Sequence, residues 1–235
     1  MSESKTCNHP TINTNDMQKM CISIVPIFNH LAHDEMSEIV KTTQSITFKR
    51  GESLYNAGDP FNSLYIIHKG KVKIYRLSES GKEQIIRILE PGDFTGEHAL
   101  FSESVHDSYA EAMEKTEICM MSRDALQNYL LRYPQISLKI LSEFSKRLDR
   151  VEILATSFAT EDVDTRVALY LAEQTEQSKS MNITLPMSRK NLASYLGTTP
   201  ETISRKLTSF EEAGWIEQMG QKKLRILDLD ALLLI

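Results

Sequence analysis

Ser188-Arg-Lys-Asn-Leu-Ala-Ser-Tyr-Leu-Gly-Thr-Thr-Pro-Glu-Thr-Ile-Ser-Arg-Lys-Leu207 is the stretch from which the rest of the chain is read. Ser188 is suited to accept a backbone N–H from the first turn of a short helix running to Leu196, and Gly197 ends that helix because glycine takes a positive φ without steric cost. Pro200 sits at a first helical position, where its missing N–H is not needed, and starts a second helix that runs to about Ala213 and stops at Gly214. Helix, tight glycine turn, helix is the spacing of a helix-turn-helix. After Trp215-Ile216, residues 217–227 read as two strands around a turn, which predicts a wing. Upstream, Asp164 to Glu176 has a helical apolar pattern and Met181 to Pro186 resembles a short strand.

The net charge of the whole chain is -5 and its pI is about 5.7, which gives no global sign of nucleic-acid binding. Between Met187 and Arg225, however, the bases Arg189, Lys190, Arg205, Lys206, Lys222, Lys223 and Arg225 outnumber Glu201, Glu211, Glu212 and Glu217, a local net of +3. On the second helix Glu201, Ser204 and Arg205 stand at i, i+3 and i+4 and therefore share one face. These residue types suit major-groove readout: Arg pairs bidentately with guanine, Glu accepts from the cytosine amino group, and Ser adapts to either role. Taken singly, Glu201 is also a favourable first-turn acid and Arg205 an ordinary solvated residue. Three on one face, directly after a helix-turn-helix glycine, favour readout.

Working toward the N-terminus, the glycines divide the chain. Six of the nine (Gly51, Gly58, Gly70, Gly81, Gly92 and Gly96) precede Gly197 in one cluster, and none falls between Gly96 and Gly197. Between the clustered glycines lie β-type runs at Ser45 to Phe48, Ser63 to His68, Lys71 to Leu77 and Gln84 to Leu89, with two more at Ser108 to Met113 and Glu117 to Met121. Strands spaced by about 10 to 12 residues with turn signals between them predict an antiparallel sandwich or barrel. From Asp124 the period becomes helical: a short helix stops before Pro134, and Gln135 to about Thr160 forms a long one. Along it Leu141, Phe144, Leu148, Val151, Ala155 and Phe158 alternate at spacings of three and four, the a/d seam of a coiled coil, so a homodimer is expected. Ile140, Ile153 and Leu154 form a second row expected to face the parent domain.

At 235 residues the chain fits two modest domains, and 41% hydrophobic with 25% charged residues is an ordinary globular composition. No apolar run approaches the roughly 20 residues of a membrane span, and the N-terminus lacks the apolar core of a signal peptide, so no membrane association and a cytoplasmic location are expected. Cys7, Cys21 and Cys119 do not make a disulfide framework.

Thr199-Pro-Glu-Thr-Ile-Ser-Arg-Lys-Leu207, behind Lys49-Arg-Gly51, Ala57-Gly-Asp59, Gly70 and Pro91-Gly-Asp93, closely resembles the CRP/FNR superfamily of bacterial transcription regulators over about Pro26 to Leu227. The resemblance implies an α+β protein. Its parts would be a flexible arm (1–20), an antiparallel β-roll sensor of the double-stranded β-helix, cupin-like kind (21–133), a dimerisation helix (134–160) and a winged helix-turn-helix (161–235). It further implies double-stranded DNA and RNA polymerase as partners, and no catalytic residue. Glu201, Ser204 and Arg205 match the FNR-type readout triad, giving a half-site close to TTGAT with Arg205 on the guanine and Glu201 on the cytosine opposite. Thr199, Thr202, Arg189, Lys190, Lys206, Lys222 and Lys223 complete the expected DNA contacts.

The signal is read by comparison with the same family. Cyclic-nucleotide-binding members pair a Gly-Glu with an arginine about ten residues later; this chain keeps Gly96-Glu97 but has His106-Asp107-Ser108-Tyr109-Ala110 in place of the arginine context. Without that cationic fork for the phosphate, cyclic AMP is not expected as effector. FNR holds an iron-sulfur cluster on four cysteines. Here Cys119 matches the internal one, Cys21 lies near the last of the N-terminal set, and only Cys7 remains, so a four-thiolate cluster cannot be assembled in one chain. A cluster with His9 or Asp16 as fourth ligand stays open as an alternative. The preferred reading, resembling the FNR-like proteins of Gram-positive bacteria, is a dithiol/disulfide switch between Cys119 and an N-terminal cysteine, Cys21 ahead of Cys7, with no cofactor or metal. Cys119 as an inert core thiol is the competing possibility. Two further alternatives are a regulatory protein whose β-roll binds a small effector unrelated to redox, against which the wing and helix-turn-helix argue in its enzyme-subunit form, and a cupin-like metalloenzyme. The strands offer the latter only His68 and His98 in isolation. His30 and His33, at i and i+3, read as a solvated helix start.

Overall fold

The computed structural model describes residues 22–60, 62–97 and 105–234. The chain forms two compact units. One runs to Ser142 but omits Tyr75–Arg87; the other joins Tyr75–Arg87 to the chain from Glu143 onward.

Residues 43–122 carry two antiparallel sheets. One sheet has the order β1 (Thr43–Phe48), β8 (Thr116–Ser122), β3 (Ser63–Lys69), β6 (Phe94–Thr95); the other has the order β2 (Ser53–Tyr55), β7 (Tyr109–Ala112), β4 (Val72–Leu77), β5 (Glu83–Leu89). This is the β-roll expected. The non-consecutive neighbours show that the strands cross between sheets rather than meander within one. Tyr55, Ile67, Val72, Ile74, Leu89, Ala110 and Ile118 meet in a buried cluster drawn from both sheets. Side chains that alternate along each strand supply this core from one face and solvent-facing groups from the other. At the β3–β4 turn Gly70 has φ +90°, and a Cβ there would stand 2.6 Å from Thr116 Oγ1 and 2.7 Å from a main-chain carbonyl oxygen, so both the conformation and the space require glycine.

Two strands escape a reading of the sequence, β2 of three residues and β6 of two. Neither is long enough to display a period of two. The helix α1 (His33–Lys41) also emerges; Glu35 caps it by accepting the Ala32 N–H at 2.8 Å. α1 is tied to α2 (Arg123–Arg132), because the Tyr129 hydroxyl donates to the Glu38 carbonyl at 3.0 Å and Arg132 meets the Glu38 carboxylate at 2.6 Å. Ser122 caps α2 by accepting the Ala125 N–H.

The long helix α3 spans Pro134–Thr160, as its lack of internal Gly or Pro predicts. Its buried residues are Ile136 and Ile140, both in its first two turns. Contrary to the expectation of a second buried row, Ile140 is buried and Leu154 half-buried but Ile153 is 67% exposed, so the row does not continue as a buried stripe along the helix.

In the second unit, α4 (Val163–Ser178) is capped by Asp162, which accepts the Thr165 N–H at 3.0 Å. That bond, foremost among several, holds the Asp162 carboxyl below its ordinary range. There follow β9 (Asn182–Thr184), α5 (Arg189–Tyr195), α6 (Pro200–Glu212), β10 (Ile216–Gln218), β11 (Lys223–Ile226) and a short α7 (Leu229–Leu233). The three strands form one antiparallel sheet in the order β10-β11-β9. The helix boundaries lie within about two residues of those read from caps and glycines, the usual scatter of helix ends.

Candidate nucleic-acid interface

α6 takes its rotation from three buried side chains. Ile203, Leu207 and Phe210, at i, i+4 and i+7, all lie in the domain core. Glu201 and Arg205 are accordingly exposed and Ser204 half-buried, so the sequence-predicted face is available to a ligand. Thr199 caps the helix, its hydroxyl accepting the Thr202 N–H at 3.2 Å. Thr199 Oγ1 also lies 3.0 Å from Thr202 Oγ1, which in turn accepts from Arg205 Nη2 at 3.3 Å. The two threonines thus rack the guanidinium toward the helix N-terminus. Glu201 makes no ion pair with any described residue.

The preceding helix and turn hold α6 in place. Ser188 caps α5 by accepting the Asn191 N–H at 3.2 Å, and Leu192, Ala193 and Leu196 are buried. Gly197 takes φ +68°, and a Cβ on it would stand 3.0 Å from the Phe158 ring. That ring also carries the Arg166 guanidinium 5.1 Å above its centroid. Phe158, read as the last seam residue, therefore packs on the helix-turn-helix of its own chain.

Not all the local bases are outward-facing cations. Lys206 Nζ meets both Asp164 oxygens, at 2.5 and 2.6 Å, and braces α6 against α4. Arg189 Nη2 donates to Gln218 Oε1 at 2.6 Å, and Arg225 sits between Asn182 Oδ1 at 3.0 Å and Glu217 Oε2 at 3.3 Å. Lys190, Lys222 and Lys223 are exposed and form no ion pair with a described residue. Asp164, Gln218 and Asn182 are not legible from the sequence; their partners lie 42, 29 and 43 residues away, and no local spacing signals them.

A cyclic nucleotide-binding domain model matches residues 45–133 and a Crp-like helix-turn-helix domain model matches residues 165–235. The probable transcriptional regulator flp of Lacticaseibacillus casei is 33% identical over 91% of this chain and 97% of its own. The chain belongs to the CRP/FNR family of transcriptional regulators. A CRP-like cAMP-activated global transcriptional regulator of Mycobacterium tuberculosis is 30% identical over 84% of this chain and 91% of its own. Among solved structures, FixK2 from Bradyrhizobium japonicum superposes with a TM-score of 0.73 at 26% identity, covering 81% of this chain and 95% of its own.

Inside the β-roll of this regulator, His106 is buried and stacks on Tyr55, ring centroids 3.6 Å apart and planes 16° from parallel. Tyr55 also holds Thr95 through a 3.0 Å hydroxyl contact and lies 5.7 Å from Tyr65, whose phenol burial pushes up. Glu97 is buried, whereas Asp107 is exposed. Cys119 is fully buried on β8, opposite Ser45 of β1 and Ile66 of β3. Its sulfur is engaged in a disulfide. Cys7 and Cys21, like His9, Asp16 and His98, lie outside the described residues. Among the described residues no group of three or more His, Cys, Asp or Glu is placed to hold a metal ion, and no helix is long and apolar enough to cross a membrane.

On α3, Leu141, Leu148 and Val151 are each more than half exposed, Ala155 is exposed and Phe144 half-buried. The apolar seam is thus open along the middle of the helix.

The pairing pattern separates bracing lysines from exposed, unpaired ones. Lys206→Ala should lower stability by up to about 1 kcal/mol, since both partners are about one-third exposed, and should leave the salt dependence of DNA binding unchanged. Lys190→Ala should reduce the slope of log affinity against log salt by about 1 with little change in stability. Urea melts and fluorescence anisotropy titrations at several salt concentrations measure both.

Proposed function

We propose that this DNA-binding regulator reads a twofold site with half-sites close to TTGAT about one helical turn apart, as a homodimer, and that thiol redox state sets its affinity. The observation that carries the readout is the outward face of α6: Glu201, Ser204 and Arg205 turned out by burial of Ile203, Leu207 and Phe210. Arg205 donates to guanine O6 and N7, and Glu201 accepts from the cytosine amino group opposite. The partners are double-stranded DNA and RNA polymerase, the setting is the cytoplasm, and the protein acts by binding rather than by catalysis.

The dimer rests on the exposed middle of α3. Burying Leu141, Leu148 and Val151 on both chains, at about 1.5 to 3 kcal/mol for a fully buried apolar side chain, supplies a driving force comparable with the cost of association. Phe158 contributes less than the sequence pattern implies, because its ring already has an intrachain partner.

For the signal, support comes from Cys119, buried on an inner strand of its sheet and engaged in a disulfide. Two cysteine thiols closing that bond give up two protons and two electrons to a two-electron oxidant, such as a low-molecular-weight disulfide. The sequence leaves Cys21 and Cys7 as intrachain partners, and Cys21 is the proposed one. A cyclic nucleotide is not the effector in this reading: the position of the phosphate-binding arginine carries the exposed acid Asp107, and His106 fills the adjacent interior against Tyr55.

Arg205→Ala should cost about 1 to 3 kcal/mol on the TTGAT duplex and relax the preference at its guanine, measured by anisotropy against single-base variants. Equal weakening on specific and scrambled DNA would remove Arg205 from readout. Sedimentation of the reduced protein at micromolar concentration should report a dimer, and Val151→Glu a monomer; a dimeric Val151→Glu would count against the seam. The affinity of the wild type should differ between reductant and mild oxidation, whereas Cys119→Ser should not respond. A serine variant that keeps the full response returns Cys119 to a structural role.

A further inference from the structure

Gln218, on wing strand β10, bonds through its side chain to both helices of the helix-turn-helix. On one side it grips Glu211 on the last turn of α6 twice: its backbone N–H donates to Glu211 Oε1 at 2.7 Å and its side-chain amide to Oε2 at 2.8 Å. On the other side its carbonyl Oε1 accepts from Arg189 Nη2 at 2.6 Å, and Arg189 is the first residue of α5. Both oxygens of Glu211 are therefore occupied by donors. The Arg189 side chain is half-buried, and its Nε is buried with no acceptor, so the guanidinium is held in one orientation while its charge faces a neutral amide.

The wing that follows Gln218 is short. Met219 closes it by donating to the Lys223 carbonyl at 2.9 Å, Gly220 turns it with φ +152°, and Lys222 stands exposed at its end. β11 is fixed to β9 by main-chain pairing, but β10 is the outer strand of its sheet, with β11 as its single sheet neighbour. Main-chain bonds from the Trp215 N–H to the Phe210 carbonyl at 2.9 Å and from the Leu185 N–H to the Lys222 carbonyl at 2.8 Å hold the base and the tip of the wing, and the clamp from Gln218 to Glu211 adds a side-chain tie between the edge strand and the last turn of α6.

We propose that Gln218 is a positioning residue for backbone recognition: its clamp on Glu211 and Arg189 fixes the wing relative to the recognition helix, so that Lys222 reaches its phosphate when α6 is seated in the groove. The inference rests on the DNA-binding reading above. Phosphate contacts fix register and orientation rather than sequence, so removal of the clamp acts on affinity and salt dependence and leaves base preference alone. It also removes the amide donor from Glu211 Oε2 while the backbone N–H stays on Oε1, so the carboxylate on α6 is less screened and adds repulsion toward the DNA backbone.

The test is a double-mutant cycle on the full-length protein, using the TTGAT duplex and a scrambled duplex across a salt series. Releasing one DNA phosphate from its lysine lowers the slope of log affinity against log salt by about 0.9, a quantity that does not depend on what fraction of the protein is folded. Gln218→Ala should lower the slope by about that amount and weaken both duplexes by the same factor. Lys222→Ala should do likewise, and the double variant should show no further decrease. Gln218→Glu keeps the side-chain size but sets a second carboxylate against Glu211, and should behave as the alanine variant does. A wild-type slope in either Gln218 variant, or additive decreases in the double variant, overturns the proposal. Should the wild type itself bind neither duplex, the DNA-site reading fails and takes the clamp with it; wild-type binding with unchanged variant slopes defeats the clamp alone.

Discussion

Burial of Ile203, Leu207 and Phe210 sets the rotation of the recognition helix, and the DNA-binding unit is organised around that rotation. An α-helix has one orientation about its axis in which three side chains at i, i+4 and i+7 are all removed from water. Each buried aliphatic or aromatic side chain is worth about 1.5 to 3 kcal/mol, so rotating the helix by half a turn would forfeit several kcal/mol. Glu201, Ser204 and Arg205 therefore face outward as a consequence of what lies beneath them. The cap at Thr199 then fixes where the helix begins, and the Thr199–Thr202–Arg205 hydrogen bonds narrow the space the guanidinium explores. An arginine held in this way loses less side-chain entropy when it pairs with a base.

The basic character of the same unit divides into two uses. Arg189, Lys206 and Arg225 are engaged with Gln218, Asp164, Asn182 and Glu217, so they hold elements together before any ligand arrives. Lys190, Lys222 and Lys223 are exposed and make no ion pair among the described residues, so their charge is directed to solvent. A net count of +3 over this segment does not distinguish the two groups. The distinction matters for mutagenesis, because a base engaged with a protein partner bears on stability, whereas an exposed unpaired base bears on the salt dependence of binding to a polyanion.

In the β-roll, β8 has a comparable organising position. It pairs with β1 on one side and β3 on the other, in register along nearly its whole length. Cys119 sits in the middle of that strand, so covalent chemistry at its sulfur acts on the best-connected part of the sheet rather than on a loop. Elsewhere in the roll, aromatic packing sets Tyr55 against His106 and Tyr65.

Local architecture is legible in the amino-acid sequence: the strand runs between clustered glycines, the long helix without Gly or Pro, the caps Ser188 and Thr199, and the turn at Gly197. Caps, turns and periodicity depend on residues within one or two turns of each other, so a linear reading reaches them. The readout face and Cys119 are marked as well, since both lie on elements of clear period. β2 and β6 are too short to show alternation, and the second apolar row on α3 breaks down at Ile153, because burial there depends on whether another element covers the helix. Three interactions appear only in the folded chain: Phe158 packs on Gly197, Lys206 directs its charge to Asp164, and Gln218 joins Glu211 to Arg189. Most of these partners lie tens of residues apart, and even the shorter span from Glu211 to Gln218 crosses from a helix to a strand. Such pairs meet only once packing has brought their elements together.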